Sequence, residues 1–342
     1  MRVNSTHIYG RDLTGVDRLT NNDVLHIYDV FDKDYIDSIF FKKGTPKYIV
    51  SDHITRFDGV KIYGLPLIAE KIARQLVNEI PFKNSTMTTS TCFNFVINKK
   101  QINRFLCIKL VELFKLSDFN YTWSGIDDKF DMSNIIAELD MLDTQSPLDN
   151  AARSFLLSPI RLKKRFINFS TSDTNNTSNI NNIGTFQWQW ENGIGDLFSN
   201  SAISLITESV SYQTAATFTE KILWSVLGLT FPIWIGGYNQ ASEWKRLGFD
   251  IFDDIIDHSY QSYDTLIERC YYAFSQNIQL LSNKEKAAKL RLNCKDRLLN
   301  NRELLIQNHL SKFIDLEISK FPEDLQAVMP EIVDPFRRLL TD

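Results

Sequence analysis

The chain has 342 residues, 43% of them hydrophobic and 23% charged, with 38 basic against 42 acidic side chains for a net charge of −4. That length supports two cores in an ordinary globular protein, and the acidic balance excludes a global nucleic-acid footprint, leaving only a local basic face for that role. The four cysteines (Cys92, Cys107, Cys270 and Cys294) form no CxxC pair and lack zinc-ligand spacing, so free thiols in a reducing compartment are expected.

In chain order, the polar opening MRVNSTHIYGRD lacks the apolar segment of a signal peptide, and a cytoplasmic location is expected. Val24 to Tyr28 and Lys47 to Val50 read as strands. Residues 67–80, LIAEKIARQLVNEI, follow a helical period, with Leu67, Ile68, Ile72 and Leu76 on or near one face. Sequons such as Asn84-Ser85-Thr86 are read as chance in an Asn-rich chain. Cys92 to Ile97 is a strand, and residues 101–116, QINRFLCIKLVELFKL, form an amphipathic helix. Strands alternating with helices predict a parallel α/β sheet. Residues 168–184, NFSTSDTNNTSNINNIG, predict a surface loop or linker.

A second α/β unit follows. Leu205 to Glu208 ends a strand. Thr219 is placed to cap a helix beginning near Glu220, and Gly228 stands where that helix should stop. Phe231 to Ile235 is a buried strand closed by Gly236-Gly237. The apolar run from Ile222 to Ile235 falls short of the ~20 residues of a membrane helix and is broken by Pro232, so no span is expected. From about residue 262 the chain is mostly helical. Residues 283–320 lack turn signals and predict one long helix, or two that pack back across the molecule. The expected division is an acceptor-binding α/β domain over 1–184, a donor-binding α/β domain over 185–282 and a helical extension over 283–342.

Residues 207–237, TESVSYQTAATFTEKILWSVLGLTFPIWIGG, carry the strongest chemical signal. Glu220 and Lys221, acidic beside basic, open a helix inside an α/β unit. Free N–H groups and the dipole at a helix N-terminus bind phosphate, and Lys221 adds a point charge. The carboxylate of Glu220 or Glu208 can accept ribose hydroxyls. A nucleotide-sugar has both groups, and glycosyl transfer needs such a grip, a stabilised diphosphate leaving group and a base. The plainer reading is that Glu220 complements the helix dipole and Lys221 is solvated.

Glu208, the helix start Phe218-Thr219-Glu220-Lys221, Gly228, Pro232 and Gly236 together resemble the donor-binding segment of the α-1,3-fucosyltransferases and related glycosyltransferases of the GT-B type. Leu247 to Phe252 and Asp257 to Tyr260 resemble segments of phage-encoded and bacterial glycosyltransferase-like proteins. The resemblance spans roughly residues 203–282, and departs at Ser209, where fucosyltransferases usually carry Asn. It implies an α/β fold of two Rossmann-like domains with a helical C-terminal extension. It implies a nucleotide-sugar as co-substrate, no cofactor, and protein cations in place of a metal. Glu208, Thr219, Glu220 and Lys221 are the donor-binding residues it implies.

Asn103-Arg104 looks like the Asn-Arg that opens a helix in some of these enzymes, and Arg104 could reach a phosphate as a bidentate donor; an ordinary surface arginine is the alternative. Arg153, Arg161, Lys163, Lys164 and Arg165 form a basic run that suits a solvated face, a diphosphate, or a nucleic-acid backbone. The base is expected from the N-terminal domain. Asp52, with His53, follows the strand of KYIVSDH, where α/β sheets place ligands; Asp29, at the end of VLHIYD, is its rival. Either also suits a loop cap. Asp32-Lys33-Asp34 is a DxD without the apolar strand that metal-dependent glycosyltransferases place before it. There is no P-loop, GxGxxG or GxSxG, and the five histidines form no metal-ligand pair. Trp123-Ser124-Gly125, with Tyr121, suits either acceptor stacking or the core. Two acceptors fit: a hydroxymethylated or hydroxylated pyrimidine in phage DNA, which the phage-like segments and Asn, Ile, Lys and Phe usage favour, or a cell-surface or lipid-linked saccharide. The competing class is a non-catalytic carbohydrate- or nucleotide-binding protein of the same fold.

Overall fold

The structure, a computed structural model, describes residues 4–8, 19–20, 23–27, 43–55, 61–80, 87–97, 101–123, 136, 150–162, 185–208 and 215–338. Over these residues the chain is α/β with parallel sheets. The first sheet follows chain order: β1 (Asn4–Ile8), β2 (Asp23–Ile27), β3 (Tyr48–Ser51) and β5 (Ile62–Gly64), every neighbour parallel. Between the last two in sequence lies β4 (Ile54–Thr55), which pairs elsewhere. The continuous burial of β2 is that of a parallel strand covered on both faces.

The second sheet contains β6 (Thr91–Ile97), β7 (Phe119–Trp123), β8 (Ser201–Ile206) and β10 (Phe231–Trp234), in the order β10-β8-β6-β7 and again all parallel. This pairing corrects the domain boundary expected at residue 184. β6 and β7 precede that position, yet they share a sheet with β8 and β10. An Asn/Ser/Thr-rich stretch marks a loop and does not say whether the strands on either side of it are neighbours. The stretch itself, 168–184, lies outside the described residues.

The helices are α1 (Leu67–Glu79), α2 (Ile102–Leu113), α3 (Asn150–Leu157), α4 (Phe186–Gln189), α5 (Gly195–Ser199), α6 (Glu220–Leu227), α7 (Gln240–Arg246), α8 (Leu266–Gln276), α9 (Ile278–Leu281), α10 (Lys284–Asn293), α11 (Lys295–Ile306), α12 (His309–Ile318), α13 (Glu323–Gln326) and α14 (Met329–Arg338). α2 links β6 to β7 and packs with α8 on one face of the second sheet, in a core built on Phe93, Phe95, Leu106, Leu110 and Phe274. α6 links β8 to β10 and packs with α1 and α7 on the other face, around Leu76, Ile222, Trp234 and Trp244.

The run over 283–320 is three helices rather than one or two. α10 passes to α11 at Cys294, and α11 ends before Asn308, whose left-handed φ of 55° turns the chain. It does pack back. Ile314, Leu325, Met329, Ile332 and Val333, from α12 to α14, close the core of the first sheet against Val24, Val50 and Tyr63. Glu70 of α1, 1% exposed, accepts from Ser311 Oγ at 2.5 Å and Arg337 Nε at 3.2 Å, fixing the returning helices. The C-terminal helices therefore complete the N-terminal sheet. No helix among the described residues is long and apolar enough to cross a membrane.

Gly228 does stand at the end of α6, for a reason other than turn conformation. Its backbone is right-handed, and the left-handed residue is Leu229. A Cβ on Gly228 would lie 2.5 Å from Phe198 Cβ on α5. Gly228→Ala is therefore expected to overpack this α5–α6 contact and cost about 1–3 kcal/mol. A urea midpoint unchanged from the parent would refute the contact.

Candidate functional site

In the second sheet β6 is followed by α2 on one face and β8 by α6 on the other. The connections leave in opposite directions, so strand order reverses between β6 and β8. Open parallel sheets bind ligands in the crevice that such a reversal opens at the carboxyl ends of the strands. The residues there are Asn103 and Arg104, opening α2, and Thr207, Glu208, Thr219, Glu220 and Lys221, running from β8 into α6. Sequence reasoning picked six of these seven as two separate signals; the fold brings them together.

Asn103 holds the crevice floor. Its Nδ2 donates to Glu208 O at 3.0 Å and Ile235 O at 3.4 Å, tying α2 to the ends of β8 and β10. Gly236 permits this closeness: its φ is +82°, and a Cβ there would meet Leu266 Cδ1 at 2.5 Å and Asn103 Cβ at 3.1 Å. Arg104 Nε donates to Thr207 O at 3.4 Å. Its guanidinium is 2% exposed, so it is not the surface arginine of the alternative reading. Burial lowers its pKa, and the nearby Glu220 and Glu208 charges pull it back up.

Glu208 is 2% exposed and faces Thr219, which gives it both donors: N–H to Oε1 at 3.1 Å, and Oγ1–H to Oε2 in a short bond. Lys221 Nζ lies 2.9 Å from Glu220 Oε1, 3.3 Å from Thr219 Oγ1 and 3.9 Å from Glu208 Oε2. At 3% exposure Lys221 is not the solvated lysine of the plainer reading. Burial raises the Glu208 pKa; the Lys221 ammonium works against this and the Glu220 charge adds to it. For Glu220 burial acts upward too, but the Lys221 charge and hydrogen bond outweigh it, and the net shift is down. Thr219 occupies the N-cap position as expected, yet its side chain makes no capping bond to α6.

The first sheet reaches the same crevice. β4, just after β3, pairs antiparallel with β9 (Ala215–Ala216), just before α6, with Ile54 opposite Ala216. Gln240 Nε2 adds a bond to Thr217 O at 3.0 Å. Asp52 thus stands at a strand end, as its position in KYIVSDH predicts, two residues before the strand that pairs with β9. Its carboxylate is not open to the cleft, however. Asp52 and His26 are both 0% exposed, with His26 Nε2 2.5 Å from Asp52 Oδ1 and Phe336 of α14 edge-on to the imidazole. The pair braces β2 against β3. Asp52, expected as a base facing the acceptor, is thus enclosed between β2 and β3. His26 went unnoticed because VLHIY reads as a plain apolar strand.

Asp29, Asp32-Lys33-Asp34, Ser124-Gly125, Ser209 and Lys163 to Arg165 lie outside the described residues. Arg153 sits half-buried on α3, outside the bonds just described. Arg161 is exposed, and Glu112 Oε1 accepts from the Arg161 and Leu162 N–H groups at 2.6 Å each. Tyr121 is core, stacked on Phe95 at 5.1 Å. A cavity of about 710 Å³ lies beside α7, walled by Lys245, Asp253, Asp254, Asp257, His258 and Gln261. None of the donor-segment candidates lines it; of the seven crevice residues Glu220 is the most exposed. Among the described residues no group of three or more His, Cys, Asp or Glu is arranged to hold a metal ion. Comparison of the chain with protein-family models, with curated proteins and with solved structures finds no match.

Proposed function

We propose that the chain is a glycosyltransferase of the GT-B kind, taking a nucleotide-sugar at the reversal point between β6 and β8. The observation that carries this reading is the convergence there of two buried cations, Arg104 and Lys221, with the N-terminus of α6, where the N-cap residue Thr219 makes no side-chain capping bond. An anion entering this crevice gains fixed positive charge in a water-poor setting, where it counts most. In such a reaction Lys221, Arg104 and the α6 N–H groups stabilise the departing diphosphate. Glu220, half-buried and already on Lys221, is the carboxylate nearest to solvent and the one suited to a ribose. The acceptor hydroxyl belongs to a modified pyrimidine in DNA or to a saccharide.

The test is a thermal-shift screen against UDP, GDP, CMP and their sugar conjugates, with and without EDTA. A ligand binding the native state alone at a hundred times its Kd stabilises by about 2.7 kcal/mol. One selective, EDTA-insensitive shift, lost in Lys221→Met, is the expected result. No shift in a well-folded sample would refute the nucleotide site. The enclosed Asp52–His26 pair favours a second reading, a binding protein of the same fold that holds donor without turnover. Nucleotide binding without transfer or donor hydrolysis would select it.

A further inference from the structure

Building on the nucleotide site just proposed, we infer that Glu208 is a positioning residue rather than a donor ligand: it keeps the N-terminus of α6 open by holding the Thr219 hydroxyl off it. An N-cap threonine normally turns its oxygen onto the N–H two or three residues on, which closes the first turn of the helix. Thr219 has the extended N-cap backbone, with φ of −120°, but no such bond. Its hydroxyl instead donates to Glu208 Oε2, and its N–H donates to Glu208 Oε1. A hydroxyl has one proton and two acceptor lone pairs; here the proton goes to Glu208, and the oxygen so placed makes no bond to the α6 N–H groups. The same oxygen accepts from Lys221 Nζ at 3.3 Å, so the bond that turns Thr219 also orients the lysine.

Glu208 is poorly placed to grip a ribose itself. Both its oxygens are engaged by Thr219, it is 2% exposed, and Asn103 anchors its backbone carbonyl. Glu220 leaves the ribose role open to a carboxylate that solvent reaches. The consequence is a division of labour between the two acidic residues that the chain carries on either side of the β8–α6 loop.

Two measurements test this. In ligand-free protein, Glu208→Ala releases the Thr219 hydroxyl to cap α6, and amide hydrogen exchange at Ile222 should slow by about fivefold to tenfold, the effect of one cap. The double variant Glu208→Ala/Thr219→Val should lose that slowing. Unchanged exchange at Ile222 in Glu208→Ala would overturn the inference. The second measurement compares affinity for inorganic pyrophosphate with affinity for GDP and UDP. A positioning role predicts that Glu208→Ala weakens pyrophosphate and the nucleotide that binds by the same factor, about tenfold. Loss of nucleotide affinity with pyrophosphate affinity intact would make Glu208 a ribose ligand and overturn it. If the parent protein binds neither probe, the nucleotide site fails, and the exchange measurement still decides the role of Glu208. If Glu208→Ala does not fold, Glu208→Leu replaces it in both measurements with the same expected results.

Discussion

Arg291→Met is expected to lower stability by about 3–5 kcal/mol, since it strands several buried acceptors at about 1–3 kcal/mol for each that water does not reach. Arg291 is 1% exposed on α10 and accounts for all five donors of its guanidinium. Nε donates to Leu229 O at 2.8 Å. Nη1 donates to Thr88 O at 2.8 Å and Thr89 Oγ1 at 3.1 Å. Nη2 donates to Ser199 O at 2.8 Å and Gly228 O at 2.7 Å. No carboxylate is among these partners. The countercharge is instead the carbonyl ends of α5 and α6, where two helix dipoles present their negative poles. Burial pushes the guanidinium down to about 10, so it remains charged at neutral pH. This one side chain joins the entries to β6 and β10 and the ends of two helices, at the opposite end of the sheet from the crevice. Methionine replaces only the apolar stem, ends short of the guanidinium and leaves five acceptors without their donor. Lysine keeps the charge but cannot present a planar fork, so Arg291→Lys should recover only part of the loss. Urea denaturation is the measurement. A change in midpoint below about 0.5 kcal/mol with an unchanged slope would mean that water replaces the guanidinium at little cost.

The parts of the fold legible in sequence were those whose burial pattern is local. α1 and α2 repeat apolar residues at helical spacing, and the strand over 92–97 and the strand beginning at Phe231 are continuous apolar runs, so their existence and position followed within a few residues. Strand order is not local. That β6 lies next to β8, with some hundred residues between them, follows from pairing alone. The reversal point, and with it the meeting of Asn103-Arg104 with Thr219-Glu220-Lys221, was therefore out of reach. So was the β4–β9 ribbon, two residues a side and without any periodic signature. The candidate site was legible as residue types but not as an arrangement. Thr219 was expected to cap α6 and Glu208 to hold a ribose, because sequence shows the one at a helix start and the other at the end of a strand. Their mutual hydrogen bonds appear only when β8 and α6 are side by side.

Lowering the pH from 6.5 to 4 is expected to cost the protein about 3 kcal/mol of stability through His53 alone. His53 is 5% exposed, and burial lowers its pKa from 6.5 to about 4. In that interval the unfolded chain binds a proton at this imidazole and the folded chain does not. The contribution is fully present above about pH 6.5 and is lost as the pH falls to the folded value. Burial lowers the pKa of His258 as well, so both histidines steepen the decline. Glu220, shifted down, loses its contribution only below the ordinary carboxylate range, and Glu208, shifted up, acts in the opposite sense. The difference between the parent and His53→Gln, measured as urea midpoints from pH 7 to 4.5, isolates the one imidazole. The variant should be flatter over this interval, whatever its stability at pH 7. Equal slopes would sink the assignment. His53 precedes Ile54, which pairs with Ala216 three residues before Thr219. Acid that forces a proton into this position therefore loosens the ribbon beside α6, and nucleotide affinity in the parent should fall with the stability, while His53→Gln retains it to lower pH.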